Sequence, residues 1–192
     1  MINYFILHGA NSSPYSNWFG WLHNKITKKG FACFCPHFPT VREQTYEAWE
    51  TVLLSYAKLG FIKEDSVFIC HDIASIFLIK FCIKQNIKIG KLISVAGYNN
   101  ALTQDKEQYK INQSFFVKDI DKFLNLSSER VCLYSDNDTY IELENLKEFT
   151  ESLKAEHVLL KKYGHLDANS GIKELTAVEL YLKLPNYDEQ SF

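Results

Sequence analysis

Residues 66–84 read SVFICHDIASIFLIKFCIK. The run Ser66 to Cys70 is short, apolar and rich in strand formers, whereas Asp72 to Lys84 is nearly all apolar (Ile73, Ile76, Phe77, Ile79, Phe81), as expected of a helix packed centrally against a sheet. Outward from this unit the same succession repeats. Strands are expected at Tyr4 to Leu7, Phe31 to Cys35, Lys91 to Ala96, Arg130 to Tyr134 and His157 to Leu160. Helices are expected at Asn17 to Lys29, Thr45 to Leu59, Glu142 to Leu153 and Lys173 to Leu182. The first two end at Gly30 and Gly60, residues suited to a C-terminal cap. Strands alternating with helices are the signature of βαβ units and a mainly parallel sheet of about six strands. The stretch Asn99 to Asn112 is polar, lacks a strong period and reads as a loop over the carboxyl edge of the sheet.

The chain has 192 residues, 46% of them apolar and 23% charged, the balance of a globular protein that buries one core of good size. No repeat or linker divides it, so residues 1–192 read as a single domain. A net charge of -2, without a dense Lys/Arg cluster, argues against nucleic acid as a partner. No apolar run approaches the roughly 20 residues a membrane span requires, and the opening MINYFILHGANSS has no basic lead, so it reads as a buried strand and not a secretion signal. The five cysteines (Cys33, Cys35, Cys70, Cys82, Cys132) lie in apolar runs without CxxC spacing. They read as reduced thiols of a soluble cytoplasmic protein and suggest neither a disulfide framework nor a zinc site. Cys33 and Cys35 would share one face of a strand, which is ordinary packing until further ligands join them.

In an open parallel sheet, ligands bind outside the carboxyl ends of the strands. Four such ends carry reactive residue types: His8-Gly9-Ala10-Asn11, Cys70-His71-Asp72-Ile73-Ala74, Ser135-Asp136-Asn137-Asp138 and Tyr163-Gly164-His165. Each alone has an ordinary reading. His8-Gly9 suits a strand-to-loop turn, Asp138 suits a turn, a single histidine is commonly structural, and Asp72 would cap the helix that follows it, worth ~1 kcal/mol. Order and placement at four separate strand ends raise the joint reading above these.

Together these segments resemble the α/β-hydrolase arrangement, in which a nucleophile on a sharp strand-to-helix turn is followed in chain order by an acid and then a histidine. The segments His8-Gly9, Asn17-Trp18-Phe19-Gly20-Trp21-Leu22, Pro36-His37-Phe38-Pro39, Trp49, Ser135-Asp136-Asn137-Asp138 and Gly164-His165-Leu166-Asp167-Ala168-Asn169-Ser170-Gly171 look like the small, capless serine hydrolases of the retinoblastoma-binding protein 9 family. The resemblance runs from about Phe5 to Leu182 and implies a three-layer α/β/α sandwich. It also implies His165 as general base, Asp138 as the carboxylate that orients it, and the backbone N–H groups of Ala10 and Ile73 as oxyanion hole. Asp138 is preferred to Asp136 because the acid of that family precedes a Pro-aromatic pair and Thr139-Tyr140 follows Asp138. Asn11, His71 and Tyr98 are expected to line the substrate pocket.

The departure is at the elbow. Where that family has Gly-His-Ser-Leu-Gly, this chain has Cys70-His71-Asp72-Ile73-Ala74. A carboxylate with an ordinary pKa of ~3.9 is ionised at neutral pH and needs no base to activate it. Its attack on an ester carbonyl would give a mixed anhydride as reactive as the substrate, whereas attack on a carbon bearing a halide or an epoxide oxygen would give a stable alkyl ester for His165 to hydrolyse. Cys70-His71-Asp72 is indeed similar to the Gly-His-Asp elbow of epoxide hydrolases and haloalkane dehalogenases, although those enzymes hold the leaving group with a neighbouring tryptophan or with tyrosines of a cap. Tyr98, Tyr109 and Trp18 are the candidates to replace them. The expected function is therefore hydrolysis of a small molecule at Asp72, Asp138 and His165, with no metal or organic cofactor implied. The alternative is a catalytically silent relative that binds a ligand or protein, with Asp72 ion-paired to His165. Ser75, one helical turn past the elbow, is a weaker candidate for a displaced nucleophile.

Overall fold

A computed structural model describes residues 1–99, 106–182 and 184. Six strands, β1 (Asn3–Leu7), β2 (Ala32–Phe34), β3 (Val67–His71), β4 (Ile89–Val95), β5 (Ser127–Ser135) and β6 (Glu156–Leu160), form one sheet in the order β2-β1-β3-β4-β5-β6. Every pairing is parallel. Among the described residues five α-helices accompany them: α1 (Phe19–Lys28), α2 (Tyr46–Lys58), α3 (Ala74–Gln85), α4 (Lys106–Asn112) and α5 (Leu143–Ser152). This is the three-layer arrangement of the α/β-hydrolase fold, without a cap domain among the described residues.

Strand alternation divides the interior into two cores. Tyr4, Ile6, Val67, Ile69, Ile93, Val95, Val131 and Leu133 meet Phe19, Leu22 and Ile26 of α1 on one face. Their neighbours Phe5, Leu7, Phe68, Cys70, Leu92, Cys132 and Tyr134 meet α2, α3 and α5 on the other. The period-2 side-chain alternation of each strand thus feeds both faces. Phe5 and Phe68 stack with ring centroids 4.6 Å apart, which helps fix β1 beside β3. That pair matters because the chain runs outward from β1 to β2 and returns on the far side as β3, making the β1/β3 boundary the switch point where such sheets bind ligands.

Two expectations change. Asn99 to Asn112 is not wholly a loop: α4 occupies Lys106–Asn112, and the residues between 100 and 105 lie outside the described part. Its inward side is polar, built on Gln108 and a buried Asn112, so no apolar period announced it. The segment Lys173 to Leu182 holds a 3-10 helix, Thr176–Tyr181, and not an α-helix. Val178 N–H bonds to Leu175 O and Leu182 N–H to Glu179 O, and over so few residues an i+3 repeat is indistinguishable from an α-helical one. The expected caps are present, with Gly30 and Gly60 at φ of 81° and 75°.

His8, the first residue after β1, lies inside the protein. Its Nδ1 donates to Gly9 O at 2.9 Å and its Nε2 accepts from Phe38 N–H at 3.0 Å, so one tautomer joins the loops after β1 and β2. Burial pushes its pKa down to about 4. A folded pKa below the unfolded value means that this histidine's contribution to stability is complete above about pH 6.5 and drains away as pH falls toward 4. Urea unfolding of the wild type is therefore expected to lose on the order of 1 kcal/mol per pH unit in that window from this group, and the slope should flatten in His8→Asn.

Candidate active site

Chain direction and parallel pairing bring the ends of β1, β3, β5 and β6 to one rim. There Asp72 turns from β3 into α3 with φ of 57°, in the left-handed region that residues with a Cβ seldom adopt. The turn is held by Asp72 N–H to Val95 O at 2.9 Å and by Ser75 N–H to Asp72 O at 3.1 Å. Cys70 and Ala74, which stand where the resembling family has glycines, are both fully buried beside it. Gly9 faces the elbow across the switch point, and a Cβ there would lie 2.6 Å from both Asp72 Cβ and Oδ2. The close approach lets Ala10 N–H donate to Asp72 Oδ2 at 3.0 Å. The helix-capping reading of Asp72 is thereby overturned: α3 begins at Ala74 without a side-chain cap, and the carboxylate turns to the loop after β1 instead.

Asp138 and His165 meet at the same rim. Asp138 Oδ1 accepts Tyr140 N–H and Ile141 N–H at 2.8 and 3.1 Å, and its Oδ2 lies 2.8 Å from His165 Nδ1. Asp136 instead takes Lys162 N–H at 2.7 Å and has no part in this contact. His165 Nε2 points toward Asp72 Oδ1 at 3.8 Å, close enough for charge attraction and too long for a hydrogen bond. Burial lowers the pKa of His165, but the Asp138 hydrogen bond and the charges of Asp72, Asp138 and Asp167 outweigh it, so the net shift is above 6.5. The silent alternative has Asp72 ion-paired to His165: the two lie within charge-pairing distance and the imidazole's pKa is raised, while its hydrogen-bonded partner is Asp138.

The loop carrying His165 is fixed from several sides by contacts that local sequence did not announce. Trp18 Nε1 donates to Leu166 O at 2.8 Å, His165 N–H donates to Ser170 Oγ at 3.0 Å, and Asn17 Oδ1 accepts Ala168 N–H at 3.0 Å. Tyr140 lies edge-on to the His165 ring at 4.9 Å; its place two residues after Asp138 was the one available signal. His71 Nε2 donates to His165 O at 3.1 Å, while burial and the His165 charge press its own pKa to about 4. Its Nδ1 is buried without a hydrogen-bond partner. His71 thus borders the cleft and also holds the loop that carries His165.

A cleft of about 940 Å³ opens over these groups. Asn11, His71, Asp72, Tyr98, Tyr140 and His165 are among its lining residues, so all three expected pocket residues border it. Asn112 Nδ2 donates to Tyr98 Oη at 2.8 Å, Gln108 Nε2 donates to Asn112 Oδ1 at 3.0 Å, and Asn11 Nδ2 donates to Gln108 Oε1 at 3.0 Å. This relay ties α4 to the loop that carries Ala10. Burial first, then the charge of Asp72, keeps the Tyr98 hydroxyl protonated well beyond the usual phenol range. Trp18 is fully buried, with its N–H committed to Leu166, and it leaves the set of leaving-group donors. Ser75 leaves the set of nucleophiles, since it is fully buried, accepts from Ser94 Oγ at 2.8 Å and donates to Cys70 O at 3.3 Å.

Comparison with solved structures places the fold among α/β-hydrolases. The ydeN gene product of B. subtilis superposes with a TM-score of 0.85 at 19% identity, covering 95% of this chain and 97% of that one. A serine hydrolase from Cycloclasticus zankles gives 0.69 at 12% identity, covering 94% and 89%. Alpha/beta hydrolase domain-containing protein 10 from mouse gives 0.70 at 11%, covering 93% and 86%. At such identities the likeness concerns the fold. No curated protein sequence matches the chain. The serine hydrolase family model matches residues 4–184, a span that contains every residue at the rim, and the chain therefore belongs to the serine hydrolase family within the α/β-hydrolase superfamily.

Proposed function

We propose that this protein hydrolyses small electrophilic molecules, epoxides foremost, through an alkyl ester formed on Asp72. The observation that carries the reading is the unequal use of one carboxylate. Oδ2 accepts the Ala10 N–H, while Oδ1 lies beyond hydrogen-bond reach of His165 at the floor of the cleft. An external ester would find the Ala10 donor already taken by Oδ2, which disfavours acyl transfer of the serine type. A substrate with a strained C–O bond needs a free carboxylate oxygen and a proton donor for the oxygen that leaves.

The steps follow from these positions. Asp72 Oδ1 attacks the epoxide carbon, the C–O bond breaks, and the Tyr98 hydroxyl donates a hydrogen bond and then its proton to the opened oxygen. His165, oriented by Asp138, takes a proton from water, and the hydroxide adds to Asp72 Cγ. Oδ2 then carries the negative charge toward the amides of Ala10 and Ile73. Collapse breaks the Cγ–Oδ1 bond, the proton left on the added water oxygen passes to Oδ1, and the diol departs with Oδ1 while water's oxygen restores the carboxylate. The proton held by His165 returns to Tyr98 through the released diol.

The same reading keeps the chain close to the retinoblastoma-binding protein 9 branch, supported by Trp18 and Trp49, whose indole N–H groups bond to Leu166 O and Pro39 O. It acts as one domain, and five free cysteines fit a reducing, cytoplasmic setting. Among the described residues no helix is long and apolar enough to cross a membrane.

With a panel of epoxides and haloalkanes, turnover should fall at least about 10³-fold in Asp72→Asn. In His165→Gln a stoichiometric adduct on Asp72 should accumulate, read as a mass increment on the peptide that contains it. A folded wild type that gives neither turnover nor adduct across the panel would overturn the proposal in favour of a binding role for this cleft. Because the His165 proton is held above pH 6.5, and ester hydrolysis needs the neutral imidazole, steady-state turnover should rise with pH through an apparent pKa above that value, with adduct accumulating below it. Asp72→Ser should vacate the Ala10 amide, place a hydroxyl near His165 and acquire labelling by a fluorophosphonate probe that the wild type lacks.

A further inference from the structure

Away from the cleft, α1 and the edge strand β2 bring together three ligand-type side chains that the proposed hydrolysis does not use. His23 on α1, Cys33 in β2 and Cys35 one residue past its end present imidazole nitrogen and thiol sulfurs that all lie within 4.8 Å of one another. All three are intermediate in exposure. The sequence showed only the two cysteines on one strand face; folding α1 across β2 supplies the third donor. No lining residue of the cleft belongs to this group.

We infer that His23, Cys33 and Cys35 form a binding site for a thiophilic divalent cation of the Zn2+ class. Two sulfurs and one imidazole are the donor types Zn2+ prefers, at about 2.3 Å for sulfur and about 2.1 Å for nitrogen. Donors no more than 4.8 Å apart reach those distances by side-chain rotation. Three protein ligands leave a fourth tetrahedral position, and the partial exposure of the site lets water fill it. Binding is an exchange in which both thiols release their protons and the imidazole contributes its neutral lone pair.

Accessibility separates this pair from the other thiols: Cys33 and Cys35 are partly exposed, whereas Cys70, Cys82 and Cys132 are buried. A bound cation would pin α1 to the edge strand, whose one sheet partner among the described residues is β1.

Titrating the reduced full-length chain with Co2+ under anaerobic conditions should produce, at one equivalent, thiolate-to-cobalt charge-transfer absorption and the intense visible bands of a four-coordinate ion. Zn2+ should then abolish both. The signal should be lost in Cys33→Ser, Cys35→Ser and His23→Gln, with folding of each checked by circular dichroism. In the wild type, which needs no variant, one equivalent of Zn2+ should protect Cys33 and Cys35 from iodoacetamide. The assignment is overturned if the folded, reduced wild type gives no cobalt signal, if the signal survives in any of the three variants, or if Zn2+ leaves both thiols open to alkylation.

Discussion

Asp72 sits with φ of 57° between β3 and α3, a backbone state that costs on the order of 1–3 kcal/mol for a residue with a Cβ. It persists because the two elements it joins are fixed: β3 lies between β1 and β4, and α3 buries eight of its residues against the sheet. The sharp turn lifts the side chain off the helix and onto the rim. From there the only way to accommodate the carboxylate beside β1 is for position 9 to lack a Cβ, and the Ala10 amide then falls within bonding distance. The rest of the rim is arranged around that fixed carboxylate.

Three buried histidines show how local partners assign charge. His8 and His71 each donate to a backbone carbonyl and have no bonded carboxylate, so burial wins and their pKa values fall to about 4. They are neutral struts, one under the loop after β1 and the other under the loop that bears His165. His165 is comparably buried, yet two carboxylates face its two nitrogens and its pKa moves the other way. Burial penalises an imidazolium unless a carboxylate within reach offsets the lost hydration.

An aspartate at the elbow leaves the frame around it in place. The Asp138 carboxylate, the His165 ring and the Ala10 amide meet at the Asp72 rim, and Asp72 Oδ2 already holds the Ala10 N–H. The frame also gains features of its own. Tyr98, Asn112, Gln108 and Asn11 form a polar relay from α4 to the Ala10 loop, so the wall of the cleft and the donor it serves are mechanically linked.

The succession of strands, the parallel sheet and the convergence of Asp72, Asp138 and His165 at one rim were legible in the sequence, because burial on both faces imposes apolar runs and because strand ends in a parallel sheet share one rim. Spacing also marked Gly30 and Gly60 as helix ends. What the chain did not disclose locally were contacts between distant segments: α4 packs through polar residues and so has no hydrophobic period, and Trp18 meets Leu166 across 148 positions. The choice between helix cap and rim carboxylate at Asp72, and the arrival of His23 beside Cys33 and Cys35, depended on distances and backbone angles that only tertiary packing fixes. Local sequence encodes periodicity and turn preference; which polar atoms meet is decided by how the layers are brought together.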